Sequence, residues 1–192
     1  FGHVSSLAGS DRLDEATTRP LLAQLVAGVC SLSAQDVVHH DIKAENVLVE
    51  TDEDGAITRV RLTDLGMSQS YAREERARAF CGSPGFFPPE MVLATSYDPF
   101  KVDVWSVGCV AIELLLGRKW FSEHWLPNSK LTEKPTEFTR GTQSALGRLK
   151  ADLEREVSSA TRNFVFECLV FDPAARPTIE TMSEQSAVVV QQ

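Results

Sequence analysis

The sequence predicts a mainly α fold, a helical bundle around a buried central helix with a short β-hairpin beside it. Residues 15 to 33 place apolar side chains at helical spacing, which is typical of an amphipathic helix with one buried face. Residues 102 to 116 are apolar on every side, as in a helix that lies in the middle of a domain. The runs NVLVE and TRVRLTD flank an Asp54-Gly55 pair, whose turn chemistry predicts the hairpin.

The segments around these elements predict loops and helix ends. Residues 1 to 14 are mixed and contain Gly and Ser, which favours a loop or a short helix at most. Pro20 belongs in the first turn of the first helix or marks a kink, and Gly117 is expected to end the central helix. Residues 65 to 89 lack sustained periodicity, and a loop of this length in a compact domain is usually functional.

The C-terminal third predicts further short helices. Residues 122 to 141 are polar and interrupted by Pro. An exposed helix is expected over residues 145 to 157 and another over residues 163 to 170. DPAARPT is expected to form a turn that opens a last helix, and the tail SAVVVQQ predicts nothing.

Length, composition and charge favour a soluble protein domain over residues 1–192. The 192 residues suit one domain, and 43% hydrophobic and 24% charged residues match an ordinary globular protein. The net charge of −8 disfavours nucleic acid and anionic membrane as partners, because both are negatively charged. Basic peptides or metal-bound phosphates suit this charge better.

The four cysteines and the apolar segments predict an intracellular, cytoplasmic protein. The cysteines are scattered without a CxxC pair, so neither a zinc site nor a disulfide framework is indicated. The longest apolar run contains Glu113 and is too short to span a bilayer. The segment FGHVSSLAGS lacks the features of a signal peptide, and without an initial methionine the natural N-terminus is expected upstream.

A polar cluster lies at the base of the predicted hairpin. Asp41, Lys43 and Asn46 precede the first strand, and Asp64 and Gly66 follow the second, so Asp64 should lie near Asn46. One carboxylate and one amide oxygen suit Mg²⁺, which completes its coordination with water and phosphate. Asp41 could then orient a hydroxyl and accept its proton, while Lys43 neutralises charge on a phosphoryl group. The cluster predicts a phosphoryl-transfer site.

Five motifs carry a family resemblance. HHDIKAEN resembles HRDxKxxN, DLG resembles DFG, and CGSPGFFPPE resembles the segment that ends in APE. DVWSVGC resembles the central helix of the lobe in which these motifs occur, and LVFDPAARPT resembles the penultimate segment of that lobe. In this order and spacing they make the chain similar to the C-terminal lobe of a eukaryotic protein kinase of the Ser/Thr branch. The resemblance covers nearly the whole chain and implies a protein-kinase-like C-terminal lobe with the hairpin beside its catalytic loop.

The resemblance implies a role for each residue of the cluster. Asp41 would be the catalytic base and Lys43 the phosphate contact, both acting in Mg²⁺-dependent transfer from ATP to a Ser or Thr hydroxyl of a protein substrate. Asn46 and Asp64 would be the metal ligands, so that Lys43, Asn46 and Asp64 together bind the cofactors ATP and Mg²⁺. Gly66 would permit the backbone turn after Asp64.

The same resemblance implies contacts that support this site. Glu90 would pair with Arg176 in a buried bidentate salt bridge, and Asp103 would accept hydrogen bonds from the catalytic-loop backbone. Ser83 and Pro84 would face the acceptor residue of the substrate. In addition, Glu45 and the net charge give a weak indication that the substrate is basic.

Three positions depart from the family pattern. His40 replaces the usual arginine, and a mostly neutral imidazole binds phosphate weakly, so activity should not require phosphorylation of the following loop. Leu65 replaces Phe and is expected to pack, and Pro88 replaces Ala and should stiffen the turn. Ser68, Ser70 and Tyr71 are candidate phosphorylation sites, although solvated loop residues are the simpler interpretation.

The sequence contains no glycine-rich phosphate loop, no strand lysine and no partner glutamate of an N-terminal lobe. One interpretation is a Ser/Thr kinase whose missing N-terminal lobe acts in cis in the complete protein. The alternative is a pseudokinase-like binding or scaffold module. In either case the chain alone should bind nucleotide poorly and show little or no turnover, because half of the pocket would be open to water.

Simpler interpretations compete with each functional one. Asp41, Lys43, Asn46 and Asp64 could be exposed turn residues, although the ordered motifs argue against this. His39 is expected to pack under the catalytic loop as a structural ring, and Cys81 to be a tolerated rather than a reactive thiol. The remaining aromatic residues of interest, expected in the core, are Trp105, Phe86 and Phe87.

Overall fold

The computed structural model describes residues 2–4 and 12–190, with side chains up to Glu184. The α-helices are α1 (Glu15–Ser33), α2 (Glu90–Leu93), α3 (Phe100–Trp120), α4 (Pro135–Glu156), α5 (Ser159–Cys168) and α6 (Ile179–Val190). The strands are β1 (Gly2–His3), β2 (Val37–Val38), β3 (Val47–Thr51), β4 (Ile57–Leu62) and β5 (Gln69–Ser70). The chain is therefore mainly α, as predicted. The predictions for residue 1, for residues 5 to 11 and for the last two residues of the tail lie outside the described residues.

The central helix α3 is buried on every side, as predicted. Its side chains from Val102 to Leu115 form the middle of the core, and α1, α4, α5 and α6 all pack against it. At Gly108 the approach of α5 is so close that a Cβ atom would lie 2.8 Å from Cys168. Helical geometry is interrupted at Gly117, where φ is 90° and ψ is 159°, and the chain then continues as one further turn. Within the described part of the chain, no helix is long and apolar enough to cross a membrane.

Helix α1 begins at an N-cap. The Asp14 carboxylate accepts a hydrogen bond from the Thr17 N–H at 2.7 Å, which satisfies one of the unpaired donors of the first turn. Pro20 lies in the second turn rather than the first. The apolar face packs against α3, α6 and β4, and its buried side chains are Leu21, Leu22, Leu25, Val26 and Val29. The helix therefore has the bounds and the buried face that the spacing predicts.

The hairpin of β3 and β4 is antiparallel, with Val47 paired to Leu62 and Val49 to Val60. Its turn is closed by the Asp52 carboxylate, which accepts from the Ala56 N–H at 2.8 Å. The pairing confirms the predicted hairpin. Strand β1 adds a third strand against β3, and a separate pair joins β2 to β5. Strands of two residues have no periodicity, so the sequence did not predict β1.

Helix α4 is longer and less exposed than the sequence predicts. It begins at Pro135, ten residues before the predicted helix, and Pro suits the first helical position because that residue needs no N–H. The segment before it also has structure, with a π-helical turn at Phe121–Trp125 and a 3₁₀ turn at Leu126–Leu131. One face of α4 is buried, and its side chains are Phe138, Thr142, Ala145, Leu149 and Leu153. A helix over residues 145 to 156 is therefore confirmed, but its predicted start and the expectation that it is exposed on all sides are wrong.

Helix α5 begins at Ser159, four residues before the predicted start. Ser158 caps it, because its hydroxyl accepts from the Thr161 N–H at 3.3 Å. Helix α6 follows the DPAARPT turn as predicted, and its Ile179 and Met182 complete the core.

Candidate functional site

The loop of residues 39 to 46 is fixed to the buried helix α3. The carboxylate of Asp103 accepts hydrogen bonds from the backbone N–H groups of His39 and His40 at 2.7 and 3.0 Å, as predicted. Burial raises the pKa of the Asp103 carboxyl, while the two N–H groups oppose that change. This contact sets the position of the loop relative to the core.

His39 has the structural role that the sequence predicts. Its side chain is fully buried, its Nδ1 accepts from the Asp41 N–H at 3.2 Å, and its Nε2 lies 3.0 Å from the Thr63 carbonyl oxygen. Because a carbonyl oxygen can only accept, Nε2 carries the proton in this arrangement. The ring therefore connects the loop to the chain that follows β4.

Asp41 lies at the centre of a network of hydrogen bonds. The Lys43 ammonium donates to Asp41 Oδ2 and to Ser83 Oγ, each at 2.8 Å, and the Ser83 hydroxyl donates to Asp41 Oδ1 at 2.7 Å. The side-chain amide of Asn46 donates to the Asp41 carbonyl at 2.8 Å and to its Oδ2 at 3.1 Å. Three of the four predicted site residues are thus in direct contact, with Ser83 added to them.

Two opposing effects act on the Asp41 carboxyl. Burial raises its pKa, but hydrogen bonds from Lys43 and Ser83, the charge of Lys43 and a hydrogen bond from Asn46 together lower the pKa below its ordinary value. The group is therefore an ionised carboxylate at neutral pH, able to orient a hydroxyl and to accept a hydrogen bond from it.

Asp64 is close to Asn46 through the backbone. Thr63, directly before Asp64, donates its N–H to the Asn46 carbonyl at 2.9 Å. Asp64 has left-handed backbone geometry, with φ 63° and ψ 72°, and its Oδ1 accepts from the Gly66 N–H at 3.2 Å. A Cβ atom on Gly66 would lie 3.0 Å from that oxygen, which is the end of a side chain that can move, and Gly66 does not have a positive φ. The structure therefore does not bear out the predicted need for glycine in the turn after Asp64. The fold thus brings the two predicted metal ligands to the same end of the hairpin.

The donor set fits a magnesium ion. The amide nitrogen of Asn46 is bonded to Asp41, so its oxygen remains to bind a cation, and the exposed Asp64 provides a carboxylate. Mg²⁺ prefers a few protein oxygens and takes its other ligands from water and phosphate. Across residues 2–4 and 12–190, no three His, Cys, Asp or Glu side chains form a metal-binding group. A magnesium ion held by Asn46 and Asp64 would therefore need phosphate oxygens as further ligands.

His40 is buried and uncharged. Its Nε2 lies 3.1 Å from the Tyr71 hydroxyl, and the two rings meet edge to face at 5.5 Å. Burial, and secondarily the neighbouring His39, lower the pKa of His40 to about 4. A neutral ring in this position cannot attract a phosphate by charge, which supports the expectation drawn from the sequence.

Glu90 and Arg176 form the predicted bidentate ion pair, with Nη1 and Nη2 at 2.6 and 2.9 Å from the two carboxylate oxygens. The two residues are only 5% and 1% exposed. Arg176 also donates to the carbonyls of Val170 and Lys101 at 3.0 and 2.8 Å, and its guanidinium lies 5.0 Å from the centroid of the Trp105 ring. The pair fixes the end of the long loop to the core.

Leu65 does not pack as the sequence predicts. It is 56% exposed, and Met67 two residues later is 48% exposed. Both lie on the short turn after Asp64, and no element among the described residues covers them. The prediction that Leu65 packs is therefore wrong for the described residues.

The competing structural interpretations hold for several other residues. Trp105, Phe86 and Phe87 are all buried, as expected for core aromatics. Cys81 is half-buried, and burial raises the pKa of its thiol, with Tyr97 opposing. A raised pKa means less thiolate, so Cys81 has none of the activation that a reactive cysteine needs.

A second polar group lies beside the site, and of its members only Glu45 was expected from the sequence. Glu113 projects from α3 and Glu45 from the 39–46 loop, and Arg118 lies between them, with Nη2 2.6 Å from Glu45 Oε1 and Nε 3.5 Å from Glu113 Oε1. Together with Lys43 and Ser83 they line a cavity of about 720 Å³. The signal in the sequence was Glu113, the one charged residue in the apolar run from residue 104 to residue 117.

Comparisons with known proteins agree with this geometry. The family profile described as protein kinase domain matches residues 3–188. Serine/threonine-protein kinase kin-29 of Caenorhabditis briggsae is 28% identical over 178 residues, which are 93% of this chain and 20% of that protein. Mitogen-activated protein kinase kinase kinase YODA of Arabidopsis thaliana is 30% identical over 174 residues, 91% of this chain and 18% of that protein. Protein kinase kin1 of Schizosaccharomyces pombe is 30% identical over 169 residues, 88% and 17% respectively. The chain thus spans about a fifth of the length of these curated relatives.

Proposed function

Because this chain belongs to the protein kinase domain family, we propose that it is the C-terminal lobe of a protein serine/threonine kinase. In the complete protein this lobe would support Mg²⁺-dependent transfer of a phosphoryl group from ATP to a Ser or Thr hydroxyl of a protein substrate. The observation that carries the proposal is the ionised Asp41 carboxylate, held between Lys43 and Ser83 on a loop fixed to α3.

Asp41 is the proposed catalytic base. The Ser83 hydroxyl lies 2.7 Å from its Oδ1, so the site accommodates a hydroxyl within the reach that proton transfer requires. A substrate hydroxyl that replaced Ser83 in this contact would be oriented in the same way. Lys43 would remain beside both groups and neutralise charge on the phosphoryl group.

Asn46 and Asp64 are the proposed metal ligands, and Lys43 the proposed phosphate contact. When bound, ATP supplies the phosphoryl group, and Mg²⁺ neutralises the charge that develops on it. The support for these roles is the chemistry of the donor set and the backbone contact between Thr63 and Asn46.

The missing partner of this site is an N-terminal lobe in cis. The exposed apolar side chains of Leu65 and Met67, next to Asp64, are a surface that such a lobe would cover. We expect the isolated chain to show little or no turnover, because its nucleotide site would be open to water on one side. The four cysteines are free thiols, which is compatible with the proposed cytoplasmic location.

The test is an assay of the complete protein with labelled ATP and a serine-containing protein substrate, with and without Mg²⁺. Asp41→Asn should reduce transfer by about 10²- to 10⁴-fold, the usual contribution of a general base. Asp64→Ala should raise the Mg²⁺ concentration that transfer requires, so that the rate at low Mg²⁺ falls well below that of the wild type. The matched control is Asp54→Ala, which removes an exposed acid from the hairpin turn.

Absence of transfer by the complete wild-type protein would contradict the enzyme proposal and favour the alternative, a binding or scaffold module. Equal rates for the wild type and Asp64→Ala would remove Asp64 from the metal site. The coding sequence upstream of Phe1 offers an independent check, because a kinase requires a glycine-rich loop and a strand lysine there.

A further inference from the structure

An acid pair beside the proposed catalytic base is already occupied by an arginine of the same chain. Glu45 and Glu113 come from different elements, the 39–46 loop and helix α3, and both contact the guanidinium of Arg118. The Arg118 side chain is 63% exposed, whereas Glu113 is buried. The contact therefore places an exposed guanidinium against a mostly buried carboxylate.

The fold places this arginine through an unusual backbone turn. Gly117 interrupts α3 with φ 90°, a conformation that favours glycine, and Arg118 follows at once. The chain then re-enters helical geometry through Phe121, whose N–H bonds to the carbonyls of Arg118 and Gly117. Arg118 is thus held on a short, fixed segment rather than on a long loop.

Arg118 does not complete the hydrogen bonding of Glu113. The Oε2 atom of Glu113 is buried and has no hydrogen-bond partner within the described residues, and Oε1 lies 3.5 Å from the guanidinium. A buried carboxylate oxygen without a donor is costly, so this group would gain from a second donor. Burial and the charge of Glu45 raise the pKa of Glu113 to about 7, with Arg118 opposing.

The acid pair opens into the space where a substrate would lie. The same cavity of about 720 Å³ is lined by Lys43 and Ser83, the two groups that contact Asp41. A residue neighbouring the acceptor in a substrate chain would therefore reach Glu113. Without Arg118, two carboxylates would face that residue and would favour a guanidinium or ammonium group.

We propose that Arg118 is a specificity-determining residue, whose guanidinium takes the position that a basic substrate side chain would otherwise occupy between Glu45 and Glu113. The inference rests on the proposed function, because it concerns the substrate of that site. It also revises the expectation of a basic substrate drawn from Glu45, since that charge is neutralised within the chain. The intact protein should be indifferent to a basic residue next to the acceptor.

The test measures peptide binding and needs no turnover. Fluorescein-labelled heptapeptides with a central serine carry one arginine at each flanking position in turn, and matched peptides carry neutral citrulline instead. Binding to the 192-residue chain is followed by fluorescence anisotropy at pH 8, where Glu113 is mostly ionised. The variants are Arg118→Ala, Arg118→Ala with Glu113→Gln, and Arg155→Ala. The last removes the same charge from an exposed ion pair with Asp152 on α4.

The wild type and Arg155→Ala should bind arginine and citrulline peptides equally. Arg118→Ala should bind at least one arginine peptide about tenfold more tightly than its citrulline partner, the effect of one additional charged hydrogen bond. Glu113→Gln in the same chain should remove that preference. Thermal melting of each variant verifies that it is folded.

Three outcomes would overturn the proposal. Arg118→Ala could bind the two peptides equally, or it could bind neither peptide. The wild type could also already show a tenfold preference for arginine. These outcomes are separate from the phosphoryl-transfer assay. A kinase that transfers phosphate without the predicted change in preference would disprove the role of Arg118 alone. If Arg118→Ala gains arginine binding but the complete protein transfers no phosphate, the role of Arg118 in peptide binding is supported. The proposal that the protein is an enzyme is then wrong.

Discussion

Arg176 donates two hydrogen bonds to the buried carboxylate of Glu90, at 2.6 and 2.9 Å. Removing one partner leaves the other charged and buried, so Arg176→Ala should lower the free energy of unfolding by about 3–5 kcal/mol. Urea unfolding followed by circular dichroism measures this change. Arg155→Ala, which breaks an exposed ion pair, should change the same quantity by less than about 1 kcal/mol. Similar effects of the two variants would show that the buried pair does not stabilise the fold.

The backbone at Gly82 should not tolerate a side chain. Its φ is 94°, and a Cβ atom would lie 2.8 Å from the His40 carbonyl oxygen, so Gly82→Ala should lower the free energy of unfolding by about 1–3 kcal/mol. Gly147 in α4 has nothing within 4 Å of its Cβ position, and Gly147→Ala should instead stabilise by about 1 kcal/mol. Thermal unfolding of the two variants decides the sign of each effect. A stabilising Gly82→Ala would be inconsistent with this loop geometry.

His40 should make the fold sensitive to acid. Its pKa is about 4 in the folded protein against an ordinary value of 6.5, so the unfolded chain binds a proton that the folded protein does not. The stability due to His40 is present above pH 6.5 and is lost as the pH falls towards 4, by at most about 1.4 kcal/mol per pH unit.

Urea midpoints between pH 4 and 7 test this slope. His40→Asn, which tolerates the left-handed φ of 67°, should reduce it. His124→Asn, at a partly exposed position, should leave the slope nearer to that of the wild type. An unchanged slope for His40→Asn would exclude His40 as its source.

Glu113 should make the fold less stable as the pH rises, which is the opposite of the effect of His40. Its pKa is raised from 4.5 to about 7, so the folded protein retains a proton that the unfolded chain has already lost. Stability therefore falls as the pH rises from 4.5 to 7, by up to about 3 kcal/mol in total.

Glu113→Gln removes this cost and should stabilise the protein more at pH 8 than at pH 4.5. Glu53→Gln, at an exposed position in the hairpin turn, is the control and should show no such difference. Urea unfolding of both variants at the two pH values measures the effect. An equal change for Glu113→Gln at both pH values would contradict the role assigned to burial.

The sequence predicts those elements in which local pattern and tertiary packing agree. Five of the periodic apolar residues in α1, from Leu21 to Val29, are buried, and the Asp54-Gly55 turn closes the hairpin that brings Asp64 towards Asn46. The contacts of Asp103, and of Glu90 with Arg176, followed from the family resemblance and are present in the structure. In each case the residue type favours the same contact that the packing of its neighbours in the fold requires.

What the sequence does not predict depends on contacts between distant residues. Strand β1 has only two residues, and its pairing with β3 is set by the neighbouring strand rather than by a pattern of its own. Leu65 is exposed because packing depends on what covers it, which residue type alone cannot show. Nothing in the sequence around Arg118 indicates its contacts with Glu45 and Glu113. They follow from the backbone geometry at Gly117, which interrupts the helix directly before Arg118.

The contact of Asp103 with the 39–46 loop also has a kinetic consequence. The hydrogen bonds join residues 63 and 64 positions apart, so a long stretch of chain must close before they form. Helix α3 must therefore be docked before the loop acquires its working shape, and the site assembles late in folding. Loss of these hydrogen bonds should mainly accelerate unfolding, with little change in the rate at which the helical bundle collapses.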